Sequence, residues 1–196
     1  MRLWVTVVLA AAALVGCGED ARTLTREDVS GIPAGDAIGT QFSGEYLIVS
    51  NKVAACTCRV GSCATVSGLT GITTQVVQTD GALQMIVSTS PAVAYGGVTA
   101  EGQFTAGSVV EEVGNVQYAL ATGRFTLSGG TPSRMTGVQE ATFTVPAFDC
   151  DVRSNFMSTY VGPPTTALAA TVGPAPSLGR AGRALGLIGF AAGANR

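Results

Sequence analysis

Apolar and polar residues alternate along the middle of this chain. In the clearest case, Ala141, Phe143 and Val145 are separated by two threonines. A period of two residues places successive side chains on opposite faces of a β-strand. Similar short runs recur between residues 42 and 161, and none of them has a convincing helical period. The pattern therefore predicts an all-β domain over residues 42–161.

Glycine-containing turns separate these runs. Asp80-Gly81 lies between two alternating segments, which is a strong signal for a β-hairpin, and Glu101-Gly102 and Gly129-Gly130 indicate further turns. The links are short and long crossovers are absent, so about eight strands should form one antiparallel meander. A meander of that size has to hide its edges. We therefore predict a closed or partly closed small barrel, with a β-sandwich as the alternative.

The segments on either side of this domain differ from it in composition. Residues 1–16 combine a basic start with a short apolar stretch, which is typical of a signal peptide and too short to span a membrane. Residues 17–41 contain four scattered glycines and prolines between 31 and 39, and they predict a flexible tether. Residues 162–196 are rich in Pro, Gly and Ala and predict a disordered tail.

The end of the apolar stretch carries a recognisable motif. Leu14-Val15-Gly16-Cys17 resembles the lipobox of bacterial lipoproteins. The resemblance implies that the Cys17 thiol is lipidated, that the chain is cut just before it and that the new amino terminus is acylated. It also implies a membrane-anchored protein of the bacterial envelope. Gly18 stands where an aspartate often marks retention at the inner membrane, so the outer membrane is favoured over the inner one.

The predicted barrel is also similar in architecture to known barrels. Its strand count and spacing resemble those of lipocalin-like and avidin-like proteins, and Gly44-Glu45-Tyr46 stands where lipocalins carry Gly-x-Trp. The resemblance implies a module that holds a small ligand in the mouth of the barrel.

Four cysteines remain beyond Cys17: Cys56, Cys58, Cys63 and Cys150. An even number in an oxidising compartment predicts two disulfides. A bond between Cys56 and Cys58 would strain a three-residue stretch. One bond should therefore close the small loop around residues 59–62, and the other should tie the first strand to Cys150. Which cysteine takes which partner stays open. The alternative is a zinc or iron–sulfur site, but the spacing and the compartment favour disulfides, and we predict no metal.

The composition offers little catalytic chemistry. The chain has no His, which removes the commonest general base, and its 11 basic and 13 acidic side chains form no basic patch for nucleic acid. Asp149 and Asp151 are candidates for one side of a calcium site, or simply for a solvated strand edge. Glu111-Glu112 predicts a turn with solvated carboxylates. We predict no catalytic residues, no cofactor and no enzyme activity.

These observations predict a non-catalytic binding module for a small apolar or amphipathic ligand. The lipid at Cys17 would hold it to the membrane. The alternative is a structural or interaction protein of the envelope that has no small-molecule ligand and contacts another envelope protein. The residues that would bind a ligand cannot be named from the sequence pattern.

Overall fold

The structure is a computed structural model that describes residues 20–90, 92–165 and 190–192. Within these residues the chain forms one short α-helix, one 3-10 turn and ten strands. In chain order these are α1 Arg26–Val29, β1 Gly44–Val60, η1 Cys63–Thr65, β2 Val66–Gly68, β3 Thr73–Thr79, β4 Ala82–Val87, β5 Val93–Val98, β6 Gln103–Glu112, β7 Asn115–Ser128, β8 Thr131–Val145, β9 Phe148–Gly162 and β10 Phe190–Ala192.

Eight of the strands form one closed antiparallel barrel in the order β1-β3-β4-β5-β6-β7-β8-β9. The long strands β1 and β9 close it, with Glu45 opposite Gly162 at one end and Val60 opposite Asp149 at the other. Closure pairs the backbone groups that an open sheet would leave at its edges. The all-β prediction and the barrel are confirmed, and the sandwich alternative is set aside.

Irregular pairing in β1 decides which of its side chains face inward. The register against β9 shifts between Val53 and Ala55. Each strand alternates its side chains, so one extra residue moves all later ones to the other face. Val53, Cys56 and Cys58 consequently all pack against the core inside the barrel. Without this shift both cysteines would point outward.

Aromatic side chains fill one end of the barrel. Phe42 stacks on Phe125 with ring centroids 5.1 Å apart, and Phe104 lies 4.9 Å from the same ring. The Tyr46 hydroxyl donates a hydrogen bond to the carbonyl of Phe42 at 2.8 Å. Phe42 is only 1% exposed, so this mouth of the barrel is occupied by the protein itself. At the other end the half-buried cysteines of β1 face Phe143 and Phe148.

Residues 20–43, which we call the strap, run along the outside of the barrel and then enter its mouth at Phe42 before β1 begins. Leu24 and Val29 are buried and pack against Leu120 on the outer face of β7. The strap comes so close that a Cβ on Gly107 would lie 2.2 Å from the carbonyl oxygen of Val29. The flexible tether expected over residues 17–41 therefore needs correction from Asp20 onward. Irregular backbone can bury apolar side chains as well as a helix can, and its glycines and prolines do not prevent this.

The remaining boundaries follow the sequence closely. The barrel strands run from Gly44 to Gly162, and the expected bounds of the domain were residues 42–161. Of the tail over residues 162–196, Phe190–Ala192 form β10, which pairs antiparallel with β2. The rest of that tail beyond residue 165, the signal peptide over residues 1–16 and Cys17 lie outside the described residues.

Candidate functional site

A cleft of about 770 Å³ opens between the strap and the outer face of strands β5 to β7. We call it the strap cleft. Ile32, Pro33 and Ala34 form its apolar wall, and Thr105 and Thr122, which are directly opposite each other on β6 and β7, lie on its floor. The strap lies close against β5 here, since a Cβ on Gly97 would lie 2.3 Å from the carbonyl oxygen of Pro33. The cleft opens beside this contact, over β6 and β7.

Hydrogen bonds hold the wall of the strap cleft in place. The Gly35 amide donates to the carbonyl of Gly81 at 2.9 Å, and the Ala37 amide donates to the carbonyl of Val98 at 3.2 Å. The Asp36 carboxylate accepts from the Ala100 amide at 2.8 Å. Because these bonds reach two different turns of the barrel, the wall is fixed without any ligand.

Arg124 places a positive charge at the strap cleft. It lies opposite Gln103 on β6, and both residues line the cleft. Its Nε donates to the carbonyl oxygen of Glu101 at 3.2 Å. Among the residues that the structure describes, Arg124 has no carboxylate within ion-pair distance. The guanidinium is therefore held in place by a neutral acceptor and keeps its charge available for an anion.

The side chains of the strap cleft suit binding better than catalysis. The lining residues carry aliphatic groups, one phenyl ring, threonine hydroxyls, one amide and one guanidinium. None of these groups exchanges a proton readily near neutral pH. The cleft can hold a molecule by apolar contact, hydrogen bonds and charge, while its lining offers no general base.

Asp149 and Asp151 bind Arg59 across the seam between β1 and β9. Arg59 Nη2 lies 2.6 Å from an Asp149 oxygen, and Nη1 lies 2.6 Å from Asp151 Oδ2. Thr23 in the strap and Thr142 on β8 each donate a further hydrogen bond to Asp151 at 2.7 Å. Both carboxylates lie on the face of β9 opposite Cys150, because side chains alternate along a strand. The carboxylate oxygens already bind the Arg59 guanidinium and threonine hydroxyls. This argues against a calcium site, and it also argues against a strand edge that contacts only solvent.

These contacts shift the pKa of Asp151. Burial of the carboxylate would raise its pKa, since only 2% of the residue is exposed. The hydrogen bonds from Arg59, Thr23 and Thr142 favour the charged form more strongly and hold the pKa below its ordinary value. Asp151 therefore stays ionised and ties the start of the strap to two strands.

Glu111 anchors the next part of the strap. It accepts hydrogen bonds from Arg26 of α1 and, at 2.6 Å, from the hydroxyl of Tyr118 on β7. These two donors, Arg26 first, lower the pKa of Glu111 to about 2. Glu111 is therefore a structural anion at neutral pH. No local pattern indicated this partner, because Arg26 precedes Glu111 by 85 residues.

The four cysteines of the domain form two disulfides. Cys56 is bonded to Cys63, and Cys58 is bonded to Cys150. The first bond closes the small loop after β1. The second joins directly opposite residues of β1 and β9, so it crosses the seam at which the barrel closes. Two disulfides were expected, and the structure selects one of the two pairings that the sequence left open.

The sequence did not indicate the strap cleft or Arg124. The expected ligand position was the barrel mouth, which Phe42 and its aromatic neighbours occupy. No local pattern distinguishes Arg124 from other strand arginines, because its role depends on a strap that is distant in sequence.

Comparisons of the chain with protein-family models, curated proteins and solved structures gave no match. In the part of the chain that the structure describes, no helix has the length and apolar character needed to cross a membrane.

Proposed function

We propose that this protein is a lipid-anchored lipoprotein of the bacterial envelope whose barrel is a non-catalytic binding module for a small amphipathic ligand. The strap cleft is the binding site. The observation that carries the proposal is the position of Arg124, a cation without a carboxylate partner among the described residues, in a cleft of about 770 Å³. Clefts for small ligands have volumes of roughly 300–1,000 Å³.

The cleft favours a ligand with an apolar body and an acidic group. Ile32, Pro33 and Ala34 supply an aliphatic wall for the apolar part. Arg124 is positioned to bind a carboxylate, sulfonate or phosphate, since a guanidinium donates parallel N–H hydrogen bonds to planar and tetrahedral anions. Thr105, Thr122 and Gln103 provide neutral hydrogen-bonding groups between the two.

The same proposal places the protein at the membrane. Lipid at Cys17 would lie only three residues before Asp20, where the described strap begins. Two or more acyl chains give stable anchoring, because each buried methylene adds about 0.8 kcal/mol. Gly18 favours the outer membrane. A ligand of this kind would be an amphipathic molecule of the envelope, which the cleft would hold close to the lipid surface.

Binding is tested with two fluorescent probes, anionic anilinonaphthalene sulfonate and neutral phenylnaphthylamine. Arg124→Gln should weaken binding of the anionic probe by at least about tenfold, because a charge-assisted hydrogen bond contributes about 1.5–3 kcal/mol. Binding of the neutral probe should be nearly unchanged. Arg134→Gln is the matched control, since Arg134 is an exposed strand arginine that does not line the cleft.

A second pair of variants tests the position of the site. Thr122→Trp should place an indole on the floor of the strap cleft and weaken binding of both probes, whereas Thr159→Trp, at an exposed position of β9, should affect neither. If both probes bind equally well to the wild type, to Arg124→Gln and to Thr122→Trp, the cleft is not the site. Mass spectrometry of the cellular protein with its amino-terminal peptide intact tests the anchor, and an unmodified Cys17 would contradict it.

A further inference from the structure

The four cysteine sulfurs lie in one compact group, which we call the sulfur cluster: Cys56, Cys58, Cys63 and Cys150. The two disulfides touch each other. The Sγ of Cys58 lies 3.4 Å from the Sγ of Cys63 and 3.8 Å from that of Cys56, although it is bonded to neither. The sulfurs of Cys56, Cys58 and Cys63 all lie within 4.8 Å of one another.

These separations match those between the ligands of a tetrahedral metal ion. Zinc binds thiolate sulfur at about 2.3 Å, which places neighbouring sulfurs about 3.8 Å apart in a four-sulfur site. The two non-bonded separations from Cys58 to Cys56 and Cys63 already have about this length. The two bonded pairs would have to separate, each by roughly 2 Å. Cys150, which is not among the three sulfurs that lie within 4.8 Å of one another, would also have to move towards Cys56 and Cys63.

Strand pairing brings three of the four cysteines together. Cys56 and Cys58 are two residues apart on the inward face of β1, and Cys58 lies directly opposite Cys150 on β9. Cys63 begins η1, which packs back towards the same end of the barrel. The ladder between β1 and β9 also continues on the amino-terminal side of Cys56, so the pairing of these strands includes many residues besides the cysteines.

The sulfur cluster is accessible from one side only. Cys150 is fully buried, whereas Cys56, Cys58 and Cys63 are half-buried. An ion or a reductant can therefore approach through the small loop. Four thiolates with no carboxylate in the group favour soft ions such as Zn(II) over Ca(II) or Mg(II).

We propose that the reduced sulfur cluster is a four-thiolate site for a soft divalent metal ion, with Zn(II) as the expected occupant. An external dithiol reductant supplies two electrons and two protons to each disulfide of the protein. The disulfide becomes two thiols, and the reductant itself is oxidised to a disulfide. Binding of one Zn(II) then releases the four thiol protons and leaves four zinc–sulfur bonds. The domain thus has two covalent states, one closed by disulfides and one closed by a metal.

The test uses the full chain with Cys17→Ser, so that the sulfur cluster contains every remaining thiol. The protein is reduced with dithiothreitol, freed of reductant without oxygen, and titrated with Zn(II) or Cd(II) alone. We expect one ion to bind per chain and to protect all four thiols from alkylation. With Cd(II) we also expect a thiolate-to-metal charge-transfer band. The oxidised protein is the control and should bind neither ion.

A cysteine variant tests whether all four ligands act together. Cys63→Ser, which keeps the strands intact, should weaken zinc binding at least tenfold. Circular dichroism is recorded in parallel, because a reduced chain that unfolds and regains its β signal with Zn(II) also supports the proposal. Alkylation of all four thiols in excess Zn(II), or equal zinc affinity for reduced Cys63→Ser and its parent, would overturn it.

Discussion

At the scale of single residues, Asp151 is a buried charge that is held from several sides. Its carboxylate accepts hydrogen bonds from Arg59 on β1, Thr23 in the strap and Thr142 on β8. A charge-assisted hydrogen bond contributes more than a neutral one, and a buried carboxylate without partners would be costly. One side chain therefore joins the seam of the barrel to the start of the strap.

This arrangement predicts a stability that depends on pH. The folded-state pKa of Asp151 lies below its ordinary value of 3.8, so its ionised form stabilises the fold above that pH. This contribution is lost as the pH falls through the folded-state pKa. At neutral pH Asp151→Asn should lower the free energy of unfolding by about 1–3 kcal/mol, and the difference should shrink in acid.

Urea denaturation at several pH values measures this effect. Asp20→Asn is the control, because Asp20 is an exposed carboxylate with no ion pair among the described residues. It should change the free energy of unfolding by less than about 0.5 kcal/mol at every pH. A difference for Asp151→Asn that stays constant down to pH 2 would show that the charge of Asp151 does not stabilise the fold.

At the scale of elements, the strap depends on a close approach to the barrel. Gly107 on β6 allows the carbonyl of Val29 to come within a distance that a Cβ would block. Leu24 and Val29 then reach Leu120 on the outer face of β7. Because the strap also forms the wall of the strap cleft, its seating decides whether the cleft exists.

Gly107→Ala should therefore lift the strap while leaving the barrel closed. A Cβ at 2.2 Å from the Val29 oxygen forces a displacement, at a cost of about 1–3 kcal/mol. Trypsin cleavage at Arg26 should become about fivefold faster or more, and probe binding should weaken. Gly162→Ala is the control, since a Cβ there meets nothing within 4 Å. Equal cleavage of both variants would show that the strap does not need this contact.

The sequence predicted the strands better than it predicted the strap. Alternation as at Ala141 and Phe143, together with a turn at Asp80-Gly81, depends on neighbouring residues and is visible locally. The side of β1 that faces inward near Cys58 depends on a register shift, which no local pattern marks. The strap cleft is lined by residues about 90 apart in sequence, such as Pro33 and Arg124, so local patterns cannot reveal it.

At the scale of the whole molecule, the two disulfides make unequal contributions to closure. The bond between Cys58 and Cys150 spans 92 residues, whereas that between Cys56 and Cys63 spans 7. Loop-closure entropy then predicts a stabilisation of about 4–5 kcal/mol for the first and about 2 kcal/mol for the second. The double variant Cys58→Ala/Cys150→Ala should therefore melt well below Cys56→Ala/Cys63→Ala in thermal denaturation. Equal melting temperatures would show that the seam disulfide does not restrict the unfolded chain.

The strap also determines how an anchored barrel would lie on the membrane. If Cys17 is lipidated, six residues lead to Thr23, which is hydrogen-bonded to Asp151 near the disulfide end of the barrel. Six extended residues reach at most about 20 Å. The disulfide end should therefore face the lipid, and the turn between β7 and β8 should point away from it.

Fluorophores at the two ends distinguish these orientations. Val113→Cys labels the exposed turn between β6 and β7, at the disulfide end, and Thr131→Cys labels the exposed start of β8 at the opposite end. On vesicles that contain headgroup spin labels, the fluorophore at position 113 should be quenched more strongly, because quenching requires close approach. Ten flexible residues inserted after Gly18 should abolish the difference by lengthening the tether. Equal quenching without the insertion, or stronger quenching at position 131, would mean that the strap does not orient the barrel.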